Sequence, residues 1–264
     1  MTGLSDELIS LQKRNERIAV LTLNRPSAAN ALSRELLHQF NERLTQLESD
    51  PLLRCLVITG SGEKAFCAGA DLKERSQMTE EQTREAVQYI GSTLQRVSEL
   101  PMPTIAAING AAFGGGLELA LACDLRISAS HSKLALTETS LGIIPGAGGT
   151  QRLSRQVGPS KAKEMIFTAR PVDAEKAEQI GLVEYVHHPE ELMEKAEFLA
   201  EEISKNAPIA LRQAKLAINK GLDMEISEGL VFEKQCYQQT IKTKDRLEGL
   251  QAFKEKRTAV FIGE

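Results

Sequence analysis

Two glutamates stand where a carboxylate has little reason to be. Glu118 follows Gly114-Gly115-Gly116 and sits among Leu117, Leu119, Ala120 and Leu121. An unpartnered charge buried in such a segment is costly, so the residue needs a partner or a chemical role. Glu138, 20 positions on, also follows apolar residues and precedes a run holding Gly142, Gly146, Gly148 and Gly149. Two carboxylates in buried surroundings can share one water and move its protons, because burial and mutual repulsion drive their pKa values apart. Glu138 taken alone fits a helix-capping or ion-paired carboxylate at least as well.

The glycines suggest what the acid–base pair would act beside. Each costs a helix interior about 1 kcal/mol against alanine, but three in a row suit a helix start where backbone must approach a ligand closely. The free N–H groups and positive dipole end there attract developing negative charge. A second small-residue segment, Ala65-Phe66-Cys67-Ala68-Gly69-Ala70-Asp71, follows the apolar stretch 55–59 and a glycine-rich loop. The N–H groups of Ala70 and Gly115, aimed at one oxygen, would make an oxyanion hole, each donor contributing on the order of 3 kcal/mol in a transition state. By itself, 65–71 also reads as a tight turn.

Other chemistry finds little support. Gly146–Gln151 misses the dinucleotide fingerprint, and neither GxxxxGK[ST] nor GxSxG occurs. His38, His131, His187 and His188 form no metal-binding motif, so no metal is expected. Cys67 lies beside the supposed hole but lacks an evident base, and a small core cysteine is the plainer reading.

Several elements must position these groups. Residues 18–23, 55–59, 104–108, 125–128 and 134–136 read as strands, with helices between them, which indicates β-α-β units and a mainly parallel sheet. Leu36, Phe40, Leu44 and Leu47 share one face of a helix that Ser33 would cap, and Met78, Ala86, Ile90, Leu94 and Val97 mark another. The long run from Glu138 through Gly149 reads as a glycine-rich turn. Past residue 150 the strand signal fades into helices at 160–168, 174–179, 189–206, 209–220, 224–241 and 245–256, with Ser160, Asp173 and Asp245 as expected caps. The last two expose Val231, Phe232, Tyr237, Ile241, Leu247, Leu250 and Phe253, which points to packing on a neighbouring subunit.

The 264 residues suffice for one large domain, or for a core with a smaller helical part. A net charge of −4 gives no basic field for nucleic acid. The four scattered cysteines fit a reduced compartment. The N-terminal stretch 1–17 has no apolar run and carries Asp6 and Glu7, so neither a secretory signal nor an Arg/Ser-rich transit peptide is expected, and the cytoplasm fits best. Asn109, the glycines and Glu118 interrupt the apolar run 104–125, which reads as a buried strand and helix rather than a membrane span.

Three segments together resemble the enoyl-CoA hydratase/isomerase (crotonase) superfamily: AFCAGADLKER (65–75), NGAAFGGGLELALACDLRI (109–127) and TETSLGIIPGAGGTQRL (137–153). The resemblance runs from Ile18 to Arg257. With CYQQTIKTKDRLEGLQAFKEKR (236–257), it is most similar to the methylglutaconyl-CoA hydratase branch. It implies an α/β spiral of β-β-α units over residues 1–195, and a helical region over 196–264 for trimerisation and active-site closure, in a homotrimer or dimer of trimers. It implies an acyl-CoA thioester held between the N–H groups of Ala70 and Gly115, and hydration of a 2-enoyl-CoA by Glu118 and Glu138. No cofactor beyond the CoA ester is implied. Gly146 matches a backbone donor near the water. Ala28, in the loop after Pro26, matches the stretch that passes the adenine. Ala68, Asp71, Leu72 and Lys73 match residues lining the substrate channel. Phe253 and Lys256 match positions reaching the CoA from a neighbouring helix or subunit. Lys73 and Lys256 fit ordinary surface lysines equally well. Isomerases and decarboxylases of the superfamily, which often lack one glutamate, are the catalytic alternatives. Some members of the branch bind AU-rich RNA through lysines on the first long helix. Here 33–47 holds Arg34, Glu35, Glu42 and Arg43 but no lysine, so no RNA binding is expected.

Overall fold

The computed structural model describes residues 7–264. Residues 1–6, part of the stretch that argues against a leader, lie outside the described residues. An antiparallel hairpin, β1 (Ile9–Lys13) and β2 (Ile18–Leu23), opens the chain. It is followed by α1 (Arg34–Glu48), which Ser33 caps as expected by accepting the Leu36 N–H; α1 buries Leu36, Phe40, Leu44 and Leu47. Then come β3 (Cys55–Gly60), β4 (Ala65–Cys67), the short α2 (Leu72–Arg75) and α3 (Glu80–Glu99). Thr79 and Gln82 close a capping box at the start of α3. The middle of the chain supplies β5 (Thr104–Ile108), β6 (Ala111–Phe113), α4 (Gly115–Ala122), β7 (Leu125–Ala129) and β8 (Lys133–Ala135). A 3-10 turn over Glu138–Leu141 leads to α5 (Gly149–Val157), α6 (Pro159–Thr168), β9 (Val172–Asp173), α7 (Ala174–Gln179) and β10 (Tyr185–His187). Four helices finish the chain: α8 (Leu192–Ser204), α9 (Pro208–Gly221), α10 (Ile226–Ile241) and α11 (Lys244–Glu255).

The strands form two sheets, ordered β1-β2-β3-β5-β7-β10 and β4-β6-β8-β9. Apart from the pairs β1/β2 and β8/β9, every strand pairing among the described residues is parallel. The pairs β3–β4, β5–β6 and β7–β8 each give one strand to each sheet before the chain turns into a helix. This repeated step is the expected spiral of β-β-α units. The main core lies between the sheets and α1, α3 and α4, around Phe40, Leu44, Ile58, Phe66, Leu94 and Leu117. A second core covers the other face of the large sheet, where Leu192, Ala196 and Ala200 of α8 meet Ile18, Val57 and Ile105.

Two expected caps are corrected. Helix α6 begins at Pro159 after Gly158, so Ser160 lies inside its first turn; a proline there loses no hydrogen bond, since that N–H has no helical partner. Helix α11 is capped by Thr243, and the buried Asp245 instead accepts the N–H groups of Ile262 and Gly263. Asp173 caps α7 as expected. The turn after Glu138 ends at Gly149 as expected, and α5, a helix not expected from the sequence, begins there. Val231, Tyr237, Ile241, Leu247, Leu250 and Phe253 are exposed on α10 and α11, whereas Phe232 is half-buried. Among the described residues no helix is long and apolar enough to cross a membrane.

Candidate active site

The ends of two neighbouring parallel strands, β4 and β6, place Ala70 and Gly115 side by side. A methyl group added to Gly69 would lie 3.0 Å from the Gly115 nitrogen, and one added to Gly115 would lie 3.7 Å from the Ala70 nitrogen. Gly69 (φ +89°) and Gly114 (φ +50°) take left-handed backbone that disfavours a side chain. Gly116 is the tightest position: a Cβ there would come 1.9 Å from the Cys67 carbonyl oxygen. Leu32 pins the 65–71 segment, donating its N–H to the Gly69 carbonyl and accepting weakly from Asp71. The segment is thus a strand end followed by a one-residue bridge rather than a free turn. Between those bonds, the Ala70 N–H has no acceptor among the described residues. The Gly115 N–H, first in α4, also has none.

Glu118 projects from the first turn of α4 and is only 3% exposed. Its Oε1 accepts two backbone N–H groups at 2.8 Å each, from Ala147 and Gly149. Burial raises its pKa, and those two donors pull it back, helped by the positive charges of Arg152 and Arg75. Arg152 donates to the Ala147 carbonyl at 3.0 Å and packs against Gly148, so it supports the loop that holds Glu118.

Glu138 opens the 3-10 turn after β8 and is 9% exposed. Its Oε1 lies 3.2 Å from where a Gly114 Cβ would be, beside the start of α4. Its Oε2 is buried without a hydrogen-bond partner among the described residues. No side-chain capping bond and no ion pair engage it there, so the capping and ion-pair readings of this carboxylate fail. Burial pushes its pKa up to about 7; its own backbone N–H opposes the shift and the charge of Glu118 adds to it.

The other predicted positions divide. Gly146 lies in the same loop as the donors to Glu118, exposed and next to Ala147. Ala68 is exposed and Ala28 half-buried, on strands of chain joined where the Ala68 N–H donates to Ala29. Asp71 caps α2 through the N–H groups of Lys73 and Glu74 and pairs with Arg25 at 2.6 Å, which holds its carboxyl below the usual range. Its carboxylate therefore has structural partners, while Leu72 and Lys73 turn to solvent. Phe253 is 85% exposed, and Lys256 ends α11 with φ +54°. Side-chain bonds recorded on α11 join it to the C-terminal tail, and none joins it to Ala70, Gly115 or the two glutamates. Cys67 is fully buried with its thiol pushed up to about 12, consistent with a core cysteine. Among the described residues no cluster of three His, Cys, Asp or Glu side chains is placed to bind a metal.

Sequence reasoning missed Ala147 and Gly149, the residues that grip Glu118, and missed Arg75 and Arg152. A glycine-rich run leading into a helix was the available signal for the first two, since helix starts carry free N–H groups.

Comparisons with known proteins bear on the family and the fold. The sequence profile of the enoyl-CoA hydratase/isomerase family matches residues 13–264. A crystal structure of an enoyl-CoA hydratase from Bacillus anthracis superimposes with a TM-score of 0.96 at 53% identity, covering 97% of this chain and 100% of that one. The chain belongs to the enoyl-CoA hydratase/isomerase family. It is 58% identical over 250 residues to YngF of Bacillus subtilis, whose name places it in the same family, covering 95% of this chain and 96% of that protein. It is 48% identical over 258 residues to the mitochondrial methylglutaconyl-CoA hydratase of Mus musculus, covering 96% of this chain and 82% of that protein.

Proposed function

We propose that the chain is a 2-enoyl-CoA hydratase. One observation carries this reading: two buried glutamates from separate segments stand in unequal hydrogen-bonding settings beside a pair of free N–H groups. Glu118 is steadied as an anion by two donors, whereas Glu138 is pushed up to about 7 and its Oε2 has no partner. Such a split suits one group to hold a proton while the other takes one.

The thioester oxygen of a bound 2-enoyl-CoA accepts hydrogen bonds from Ala70 and Gly115. Glu118 takes a proton from water as the water oxygen bonds to C3. The C2=C3 electron pair moves toward the thioester, and the resulting enolate charge falls on the oxygen facing the two N–H groups and the α4 dipole. Glu138 then delivers its proton to C2. Proton exchange through the next water returns both carboxyls to their starting states. No group beyond the CoA ester takes part, and the residues around Ala28, Ala68, Leu72 and Lys73 are assigned to binding it. Phe253 and Lys256 are assigned to reaching the CoA from a neighbouring helix or subunit, and the exposed apolar faces of α10 and α11 to contacts within a trimer or a dimer of trimers. A branched dicarboxylic chain such as 3-methylglutaconyl is the favoured acyl group, supported by the name of the mouse relative, with short straight chains next.

Hydration in water enriched in oxygen-18 tests this reading. Crotonyl-CoA and 3-methylglutaconyl-CoA should each give a 3-hydroxyacyl-CoA with the label at C3. A chain that only moves the double bond of a 3-enoyl-CoA, with no label incorporated, overturns it.

A further inference from the structure

Arg75 is the one non-exposed arginine among the described residues whose guanidinium makes no recorded hydrogen bond or ion pair. Its Nε is fully buried and lacks a partner there. The other half-buried arginines are engaged: Arg25 by Asp71, Arg43 by Glu7, Arg96 by Glu48, Arg152 by Gln95 and the Ala147 carbonyl, and Arg212, whose Nε is also buried without a partner, through Nη2 to the Pro51 carbonyl. A buried cationic group normally finds an acceptor, because leaving one unmade is costly.

The placement of Arg75 narrows what the acceptor could be. It ends α2, five residues after Ala70. The cap at Asp71, locked by Arg25, fixes that helix, and the helix turns Leu72 and Lys73 outward. Arg75 stands beyond ion-pair distance of Glu118 and Glu138, yet its charge reaches both and helps to lower their pKa values. It therefore lies within electrostatic reach of both carboxylates without pairing to either, near enough to the site to meet a group carried by its ligand. Guanidinium matches a carboxylate with two parallel hydrogen bonds, a fit that a methyl-terminated chain cannot offer.

We propose that Arg75 binds a carboxylate at the far end of the acyl chain, so that the preferred substrate is a 2-enoyl-CoA with an anionic terminus. This rests on the hydratase reading and names its specificity residue.

Two measurements test it. Binding by calorimetry needs no turnover: glutaryl-CoA should bind at least about 10-fold more tightly than butyryl-CoA, and R75M should erase the difference. In turnover, the wild-type chain should favour 3-methylglutaconyl-CoA over its terminal methyl ester by at least about 30-fold in kcat/KM. R75M should collapse that ratio toward one, and R75K should restore part of it. Equal binding of the two saturated esters, or an R75M that slows acid and methyl ester by the same factor, overturns the proposal; the second result would mean that Arg75 acts only through the glutamates or the fold. A binding preference without hydration of any substrate would support the role of Arg75 and sink the hydratase reading.

Discussion

Glu118 and Glu138 are the same residue type, both buried, both beside the start of α4, yet their settings are opposed. Glu118 rests in a cradle of main-chain donors, two N–H groups on one oxygen with Arg152 bracing the loop behind them. Glu138 has its own backbone N–H and the unpaired charge of Arg75 to offset burial, and Oε2 finds no hydrogen-bond partner among the described residues. Protonation state is thus written less in the residue than in the number of donors the fold aims at it. The pair becomes unequal: two donors favour the charged form of one carboxyl, while burial favours the neutral form of the other.

The comparison can be broken most directly at the carboxyls. E118Q and E138Q should each lower kcat/KM for crotonyl-CoA hydration by at least about 100-fold with unchanged fold, the range of acid–base catalysis. Near-full activity in either variant ends the two-carboxylate scheme. The wild-type profile should fall as pH rises through about 7, where Glu138 loses its proton, and at the acidic end as Glu118 gains one. A hydration rate that keeps rising past pH 8 would show that Glu138 is not the acid.

Stability sharpens the contrast further. Glu138 has a folded pKa above its unfolded value of about 4.5, so its contribution is fully present below that value and is lost as pH rises through about 7. E138Q, which buries no charge, should therefore gain stability on wild type with rising pH, by on the order of 3 kcal/mol at pH 8 and little at pH 4. Denaturant melts at the two pH values give the difference. E118Q should gain less, because two donors already compensate that charge.

The cradle itself is open to a smaller test. A Cβ at Gly149 would lie 2.9 Å from Glu118 Oε1 and 2.8 Å from the Pro145 Cβ. G149A should shift the carboxylate and reduce hydration about 10-fold, misplacement being costly in acid–base chemistry. An unaltered kcat would mean that the loop merely packs. The least effect is expected at Cys67, whose thiol is pushed up to about 12. Iodoacetamide at pH 8 should leave activity within about 2-fold, as a protonated buried thiol is a poor nucleophile.

Much of this was legible in the chain. Alternating strands and helices to residue 150, the Ser33 cap, the inner face of α1 and the helix start at Gly114–Gly116 all follow from local patterns, because each is decided by residues within a turn or two. β1, β4, β6, β9 and β10 were not legible, since each is short and none stands out as a bounded apolar run, as the equally short β5 does. At Ser160 a good capping residue lost to the Gly158-Pro159 pair, and at Asp245 to Thr243, because capping is settled by where the helix axis begins. The two glutamates drew notice through their apolar neighbours. Their donors did not, since a glycine-rich run reads the same whether its N–H groups face solvent or a carboxylate. Arg75 looked like any charge on a polar stretch until packing buried its Nε.

On the proposed reading, the groups that face the thioester are the peptide nitrogens of Ala70 and Gly115, and those that grip Glu118 are the peptide nitrogens of Ala147 and Gly149, not side chains. Point substitution cannot delete a peptide N–H unless it brings in proline, so drift can rework the walls of the acyl pocket while the polarising machinery persists. Divergence in such a scaffold should concentrate in what is accepted rather than in how the double bond is activated, and residues such as Arg75 are where a lineage would change its diet.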